Sequence, residues 1–538
     1  MSISFAVPVS PTCLVSPACL RGLFRLSSLR LLGVSLISLL LSACVGVPGD
    51  DGFAAVEQMT RERLDKTIAR QPVAASAASA TSAATPAAPA AATPVATHAA
   101  LDRLRTQPLT VEDAVQIALL NNPGLQVSYA ELGIAQAELM RAGTLPNPRI
   151  SYLRASHGDE FKLETVIGFN VLALFTAPLA SRMEARRFEA VKADVAATVL
   201  RLAGDTRLAW VQAVAANEKL RYAERVQASA EAGAELAQRM QAAGNFSRLS
   251  QLREKAFHSE AVTSLALARL QVAEQREQLA RLMGLSGGQR DFKLPERLPD
   301  VPGEVPVSLR DVEDLQARAL QARLDVLAAQ RQAESLAQSL GLTRATRFVN
   351  VLELGPARVT ETPSPRKRGY EISFELPLFD FGTARVARAE ALYTQALHQV
   401  AAVAMNAQAE ARSVHGQWHS QWQQARHQRD QMLPLRKQIS EEVLLRYNGG
   451  FVSVFELLAD ARGQIAAVSA SIEATRDFWL ADAQLQAMLA GSPAGSPAGS
   501  PGVNPAGKPG SNLGSQLGKN VGSGASLTLV TGENNATH

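Results

Sequence analysis

The chain has 538 residues, of which 46% are apolar, 19% are charged and only 5% are aromatic. Much of the apolar content is alanine, which favours long helices in close contact over a compact core of large side chains. The formal net charge is +4 and the pI is about 9.0. Three of these positive charges, Arg21, Arg25 and Arg30, precede the first acid, Asp50. If that segment is removed, the basic pI is weak evidence for a nucleic-acid partner, and we expect none.

The N-terminal segment has the features of a secretion signal. The arginines precede the apolar run "LLGVSLISLLLSAC" (31–44), which is too short to cross a bilayer as a helix and suits the core of a signal peptide. The run closes on Leu41-Ser42-Ala43-Cys44, which resembles a bacterial lipobox. The resemblance implies cleavage before Cys44, lipidation of its thiol and, with Val45 next, sorting to the outer membrane. The alternative is an ordinary signal peptide with an incidental cysteine.

Composition divides the chain into five parts. We predict a lipoprotein signal peptide at 1–43, a lipid anchor and Ala/Pro-rich linker at 44–100, and a disordered Gly/Ser/Pro-rich tail at 491–538. Between them we predict two related repeats, 101–300 and 301–490. No disulfide is expected within one mature chain, because the other two cysteines lie in the removed segment.

Three matches in the same order indicate an internal duplication. "TVEDAVQIALLNNPG" (110–124) is similar to the stretch that begins at residue 308, "VLALF" (171–175) to "ELPLF" (375–379), and "AAGNFSRLSQLREKA" (242–256) to "NGGFVSVFELLADAR" (448–462). Their offsets are about 201–206 residues. Each match is weak alone, but a common order and offset support one duplication.

Each half has the pattern helix, two strands, long helix, turn and helix. The first helix is predicted at about 110–142, with Thr110 as N-cap and an acid at Asp113. Long helices are predicted at about 180–243 and 383–447, with a kink near Pro434, and shorter ones at about 247–284 and 451–490. Helices of this length exceed the diameter of a compact domain and indicate a helical tube.

Alternating apolar residues predict the strand pairs 148–157 with 161–172 and 347–355 with 369–379. Strands of about 9–11 residues can cross a bilayer at a tilt. Four strands cannot close a barrel, and an open sheet in lipid would leave bare edges. Membrane strands from several copies of the chain would therefore have to form one barrel, and three copies would supply twelve strands. The alternative is a soluble four-stranded sheet packed on helices.

Two further stretches carry a family resemblance. "ELPLFDFGTARVARAE" (375–390) is similar to the strand-to-helix passage of the TolC family of outer-membrane efflux proteins. "RYNGGFVSVFELLADARGQ" (446–464) resembles that family's helix-turn-helix pattern Tyr-x-x-Gly-x-x-Ser-x-x-acid-Leu-Leu. The resemblance covers about 105–490. It implies a mixed, mainly α membrane protein with a long α-helical periplasmic tunnel and four β-strands per chain in a trimeric 12-stranded outer-membrane β-barrel.

The resemblance also implies a function and partners. A homotrimer would conduct substrates passively from an inner-membrane pump and a periplasmic adaptor to the exterior. It would be held in outer-membrane lipid, would have no enzymatic activity and would need no cofactor or metal. No phosphate-binding Gly-rich loop, Gly-x-Ser-x-Gly elbow or HExxH motif is present in the sequence. The alternative function is a periplasmic helical adaptor or scaffold lipoprotein without a transmembrane barrel.

Site residues follow from the family's two helix-turn-helix tips, which close the entrance and receive the adaptor. The matching adaptor-contact residues here are Gly244, Ser247, Gly449, Gly450 and Ser453. Glycine at such a turn permits positive φ and close approach of a partner backbone. The alternative is a plain turn between helices.

Glu456 matches the family's acidic ring at the entrance, where three carboxylates near one axis would favour cations. The alternative is a solvated acid in the first turn of a helix. A second family acid is replaced by Ala459, and Asp460 is rotated about 100° from it around the helix. The place of Glu456 in the first half is Ser250, so we expect a less acidic gate.

His415 and His419 lie one turn apart on a predicted helix. Their spacing suits metal binding, but the stretch 415–427 has no Cys, Asp or Glu to complete a site. We interpret the pair as a solvated or packed face.

Overall fold

A computed structural model of the protein describes residues 50–70, 107–305, 312–349, 351–362, 366–375 and 379–492. Within these ranges the chain is mainly helical and carries one four-stranded antiparallel sheet. The predicted lipidation residue Cys44, most of the predicted linker and nearly all of the predicted tail lie outside the described residues.

The elements follow the predicted order twice. The helices are α1 (Phe53–Leu64), α2 (Val111–Asn121), α3 (Pro123–Gly143), α4 (Val171–Ala242), α5 (Arg248–Leu282), α6 (Val312–Ala322), α7 (Leu324–Ala345), α8 (Thr383–His427), α9 (Leu433–Asn448) and α10 (Val454–Leu489). The strands are β1 (Arg149–His157), β2 (Glu160–Asn170), β3 (Leu352–Glu361) and β4 (Lys367–Phe374). A π-helical segment, Gln428–Met432, joins α8 to α9.

Long helices run away from the sheet in both halves. Helix α4 has 72 residues and would measure about 108 Å at 1.5 Å per residue. Thr110 caps α2 by accepting a hydrogen bond from the backbone of Asp113, as predicted. None of the helices in the described ranges is both long and apolar enough to cross a lipid bilayer.

The two halves make similar contacts where the first helix of each predicted repeat is broken. The Asn121 side chain donates a hydrogen bond to the carbonyl of Gly284, which follows α5, over 2.7 Å. In the second half, the Leu324 amide donates to the carbonyl of Gly491, which follows α10, over 3.1 Å. Both glycines have positive φ, 69° and 93°. Each repeat thus clamps its helix break with the end of its last helix.

Pairs of tryptophans anchor the helices to the remaining chain. Trp210 of α4 donates to the carbonyl of Leu109 over 2.9 Å, and Trp418 of α8 donates to the carboxylate of Asp482 over 3.0 Å. Burial raises the pKa of Asp482 even though Trp418 and Gln486 donate hydrogen bonds to it. Trp479 and Trp422 bind the carbonyls of Pro299 and Pro302 in the segment that connects the two repeats. The connecting segment is therefore held to α8 and α10 by tryptophan hydrogen bonds.

Several predicted boundaries were wrong. The helix predicted at 110–142 is broken at Asn122, because Pro123 begins a new helix and the Asn122 side chain caps it. The long helix begins at Val171 rather than Ala180, because the side chain of Asn170 accepts a hydrogen bond from Ala173 and caps it there. It continues through Pro178.

The third strand was also misplaced, since β3 covers Leu352–Glu361 instead of 347–355. Pro356 predicts a loop over the stretch "PARV" (356–359). Proline is tolerated there because residues 355 and 356 have no partners in the β2–β3 ladder. No carbonyl of β2 therefore needs the N–H that proline lacks. The predicted connector 356–368 is correspondingly shorter.

The folded body begins before residue 101, which corrects the prediction that 44–100 is anchor and linker throughout. Helix α1 packs on the body, where Phe53 meets Tyr129 edge to face with ring centroids 5.0 Å apart. Ion pairs join Arg70 to Asp51 at 2.8 Å and Lys66 to Glu112 at 2.9 Å. The sequence does not predict this helix because it has only 12 residues, too few for a strong periodic signal.

The sheet has two chemically distinct faces, because directly opposed residues of antiparallel strands point to the same side. The apolar face is formed by Ile150, Tyr152, Arg154 and Ser156, Phe161, Leu163, Thr165, Ile167 and Phe169, Leu352, Leu354, Pro356, Arg358 and Thr360, and Arg368, Tyr370, Ile372 and Phe374. The polar face is formed by Arg149, Ser151, Leu153, Ala155 and His157, Glu160, Lys162, Glu164, Val166, Gly168 and Asn170, Glu353, Gly355, Ala357, Val359 and Glu361, and Lys367, Gly369, Glu371 and Ser373. The predicted alternation of β2 and β4 is confirmed over the described strand residues.

The helix-break clamp can be tested with Gly284→Ala. A Cβ at Gly284 would lie 2.5 Å from the carbonyl oxygen of Asn121, and its φ of 69° is strained for alanine. We expect a loss of about 1–3 kcal/mol in the free energy of unfolding, measured by denaturant titration. The matched control is Gly287→Ala, which has a φ of 58° but no heavy atom within 4 Å of the new methyl group. Equal losses in both variants would show that backbone strain alone, without the clamp, accounts for the effect.

Candidate functional site

The two helix-turn-helix tips lie at the ends of the long helices that are remote from the sheet. The first tip (Ala243–Ser247) joins α4 to α5, and the second tip (Gly449–Ser453) joins α9 to α10. Gly244 and Gly450 adopt the left-handed conformation, with φ of 80° and 76°. Backbone bonds of 2.9 Å from Asn245 to Met240 and from Phe451 to Arg446 close both turns in the same way.

The residues predicted for the tips differ in their roles. Gly449 has φ of −77°, so the positive φ expected of the turn glycines belongs to Gly244 and Gly450 only. A Cβ at Gly449 would lie 2.8 Å from the ring of Phe451, so this glycine makes room for the aromatic side chain. Ser247 caps α5 by accepting a hydrogen bond from the amide of Ser250, whereas Ser453 begins α10 without a side-chain cap.

Glu456 lies in the first turn of α10 and is exposed. Its amide donates to the carbonyl of Ser453 over 3.1 Å. Its carboxylate is therefore presented to solvent beside the second tip, next to the positive end of the helix dipole. Ala459 is exposed, while Asp460 is partly buried and its Oδ2 has no hydrogen-bond partner among the described residues. Asp460 thus points away from the surface that Glu456 and Ala459 occupy.

An aromatic contact joins the two tips. The rings of Phe246 and Phe455 stack with centroids 4.6 Å apart and an interplanar angle of 12°. Phe246 is 6% exposed and Phe455 is 44% exposed, so the first ring is covered largely by the contact and the second forms its outer side. The sequence predicts no role for either residue, because their proximity depends on how the two helix pairs pack.

An ion pair joins the same two helix pairs further along. Arg462 donates to the carboxylate of Glu254 over 2.6 Å, and its guanidinium lies 4.7 Å from the ring centroid of Phe257. Glu254 is buried. By the duplication, Glu254 occupies the place of Asp460, so the two repeats differ in which of these acids has an arginine partner. The duplication does not identify Arg462 as the partner of Glu254, because their contact depends on how the two helix pairs pack.

The second tip exposes apolar side chains. Helix α9 has no buried residue, and Leu444, Leu445 and Phe455 are exposed. Phe451, at the turn itself, is 84% exposed. Contiguous exposed apolar surface is typical of an interaction site.

The two histidines lie outside the tips, beside the segment that connects the repeats. The rings of His415 and His419 stack 6.5 Å apart, and Gln423 lies 2.9 Å from the Nε2 atom of His419. They line a groove of about 530 Å³ with Trp422, Arg426 and residues 303–305. Within the described ranges, no group of three His, Cys, Asp or Glu residues could hold a metal ion.

Comparisons with known proteins find similarity by structure only. No family model matches the chain, and no curated protein matches it either. The fold is similar to that of the outer membrane protein VceC of Vibrio cholerae, with a TM-score of 0.59 and 18% identity over 71% of this chain and 96% of that one. It is also similar to the open outer membrane channel MtrE of Neisseria gonorrhoeae, with a TM-score of 0.56 and 20% identity over 71% and 89%.

A membrane protein of Pseudomonas aeruginosa gives a TM-score of 0.60 at 18% identity, over 70% of this chain and 93% of that one. The chain therefore has the fold of outer-membrane channel proteins, and the fold class predicted from sequence is confirmed at the level of one chain. The similarity extends over nearly the full length of these solved chains.

The stacked phenylalanines can be tested by hydrogen exchange at the tips. Removing one ring with Phe455→Ala should loosen the first tip as well as the second, because an aromatic pair contributes about 0.5–1.5 kcal/mol beyond its buried area. We expect exchange at the Asn245 amide to accelerate about twofold to tenfold. Phe451→Ala is the control, since that ring is almost fully exposed and should leave the first tip unchanged. Acceleration confined to the second tip would contradict the coupling.

Proposed function

We propose that the protein is a duct of the TolC family. It would conduct substrates passively across the outer membrane from an inner-membrane pump and a periplasmic adaptor. The observation that carries the proposal is the combination of a sheet with an apolar exposed face and helices of up to 72 residues that run from it to two paired tips. The fold shared with outer-membrane channels supports the same conclusion.

The barrel requires more than one chain. The strand order β1-β2-β3-β4 leaves β1 and β4 as edges, whose free N–H and C=O groups would be costly in lipid. Pairing β4 of one copy with β1 of the next removes every edge when the ring closes. Three copies would give twelve strands around a wide lumen lined by the polar face. We therefore propose a homotrimer.

Aromatic side chains support the position of the membrane. Phe175, Phe348, Phe379 and Phe381 are all exposed and lie where the strands meet the helices. Membrane barrels have aromatic girdles at both edges of their apolar band. These phenylalanines suit the periplasmic edge, and Tyr152 and Tyr370 on the apolar face suit the outer edge.

The packed N-terminal segment supports a lipid anchor at Cys44. Asp51 lies beside Gly133 in α3, ten residues or about 15 Å before that helix ends near the sheet. The six residues from Cys44 to Asp50 can span about 20 Å when extended. An acylated Cys44 could therefore reach the membrane surface around the barrel while α1 stays packed on the helices.

We propose that the tips form the periplasmic entrance and receive the adaptor. In a trimer around the tunnel axis, three exposed Glu456 carboxylates would line the opening and favour cations. The exposed apolar residues of the second tip, with Gly244, Ser247, Gly449, Gly450 and Ser453 at the turns, would contact the adaptor.

The competing function is a periplasmic helical adaptor or scaffold lipoprotein that never enters the membrane. A protein outside the membrane does not need a sheet with exposed apolar side chains. Here the exposed face carries Ile150, Tyr370, Ile372 and Phe374. The exposed apolar face therefore favours the duct.

Conductance across a planar lipid bilayer tests the duct and its gate together. The purified full chain should insert and give discrete channels with a preference for cations. Three charges about 7 Å from a central ion contribute about 0.7 kcal/mol at physiological salt. The same charges repel an anion by an equal amount, so we expect Glu456→Gln to lower the ratio of cation to anion permeability about tenfold.

The matched control is Glu235→Gln, which removes an equal charge from an exposed site on α4 near the first tip. It should leave the permeability ratio unchanged. Absence of any channel activity from the wild-type protein would refute the duct. Channels whose selectivity is equally insensitive to both substitutions would refute only the Glu456 gate.

A further inference from the structure

Four arginines lie on the apolar face in the half of the sheet that is nearer the hairpin turns. Arg154 of β1, Arg358 of β3 and Arg368 of β4 belong to that face by register, and Arg366 continues the alternation of β4. All four side chains are exposed. The six-residue interval from Phe374 to Arg368 corresponds to about 20 Å of strand. On β1, β3 and β4 the arginines therefore follow an apolar band on the side away from the helices, whereas β2 stays apolar as far as Phe161.

Basic residues have acidic neighbours on one face of the sheet but not on the other. On the polar face, basic residues are close to acids, as in Lys162–Glu164 at 3.2 Å and Lys367–Glu361 at 3.3 Å. The apolar face carries no Asp or Glu among the described strand residues. None of its arginines forms an ion pair within the described parts of the chain.

Two of these arginines are placed directly against each other. Arg358 and Arg368 are cross-strand partners, and Thr165 and then Tyr152 continue the same row across the sheet. Like charges directly opposite destabilise a strand pair. An external anion would offset this repulsion. Phosphate suits two adjacent guanidinium groups best, because each can bind its oxygens in a bidentate manner.

We propose that this arginine cluster binds the phosphate groups of a phosphorylated lipid in the outer leaflet. The inference rests on the proposed function, because it requires the apolar face to lie in the membrane with the hairpins outward. The apolar rows then contact acyl chains, and the arginines lie at the depth of the head groups. Each copy in a trimer carries one such cluster, so lipids would bind around the whole outer rim.

Native mass spectrometry of the detergent-solubilised full chain tests the proposal, with diphosphorylated lipid A as the probe. The outward variant is Arg358→Gln/Arg368→Gln, and the matched control is Lys162→Gln/Lys367→Gln, which removes the same charge from the polar face. A basic residue near an anionic lipid surface contributes about fivefold in affinity. We expect the outward variant to bind lipid A about 25-fold more weakly and the control to change less than about twofold.

Equal weakening in both variants, or none in either, would overturn the proposal. Displacement of lipid A by an equal concentration of inorganic phosphate would also overturn it, because the cluster would then bind any phosphate rather than a lipid. Each variant is first checked for channels in the planar bilayer. If the protein forms channels but the outward variant and the control bind lipid A equally well, the lipid site alone is refuted. If the wild-type chain forms no channels, both the proposed function and the lipid site are refuted.

Discussion

The unpaired edges of the four-stranded sheet constrain the whole molecule. In lipid, the free N–H and C=O groups of β1 and β4 have no water to bind, so an apolar sheet of this size needs neighbouring copies to close it. In the proposed trimer, closure would also fix the helices, since each strand pair continues into a long helix that would pack around the same axis. The proposed tunnel, the paired tips and the outward arginines would all take their positions from that one requirement.

The two repeats have a similar design but differ in the residues that they bury and expose at their tips. Both end their last helix with a glycine that clamps the break in their first helix, at Gly284 and Gly491. Their tips differ, because the first buries Phe246 and Glu254 whereas the second exposes Phe451 and presents Glu456. The first repeat therefore supports the tip contact, and the second offers charge and apolar surface to whatever binds there.

Periodicity and length predicted most of this architecture, because long helices and alternating strands have strong signals. The duplication and the position of both tips also follow from the sequence. What could not be predicted depends on packing between distant segments. Pro356 predicts a break in the strand although the β2–β3 ladder skips its position, and α1 is too short to be recognised before it packs. The Phe246–Phe455 stack joins residues more than 200 positions apart, so neither ring identifies its partner in the sequence.

In the proposed assembly, the chains form one closed barrel through the edges of the sheet. Electron cryomicroscopy of the full chain in lipid nanodiscs tests it most directly. The account predicts a particle with three-fold symmetry, in which a single twelve-stranded barrel lies in the disc and a helical tube projects about 100 Å from one side. Monomeric particles, or a sheet that lies outside the lipid, would contradict it.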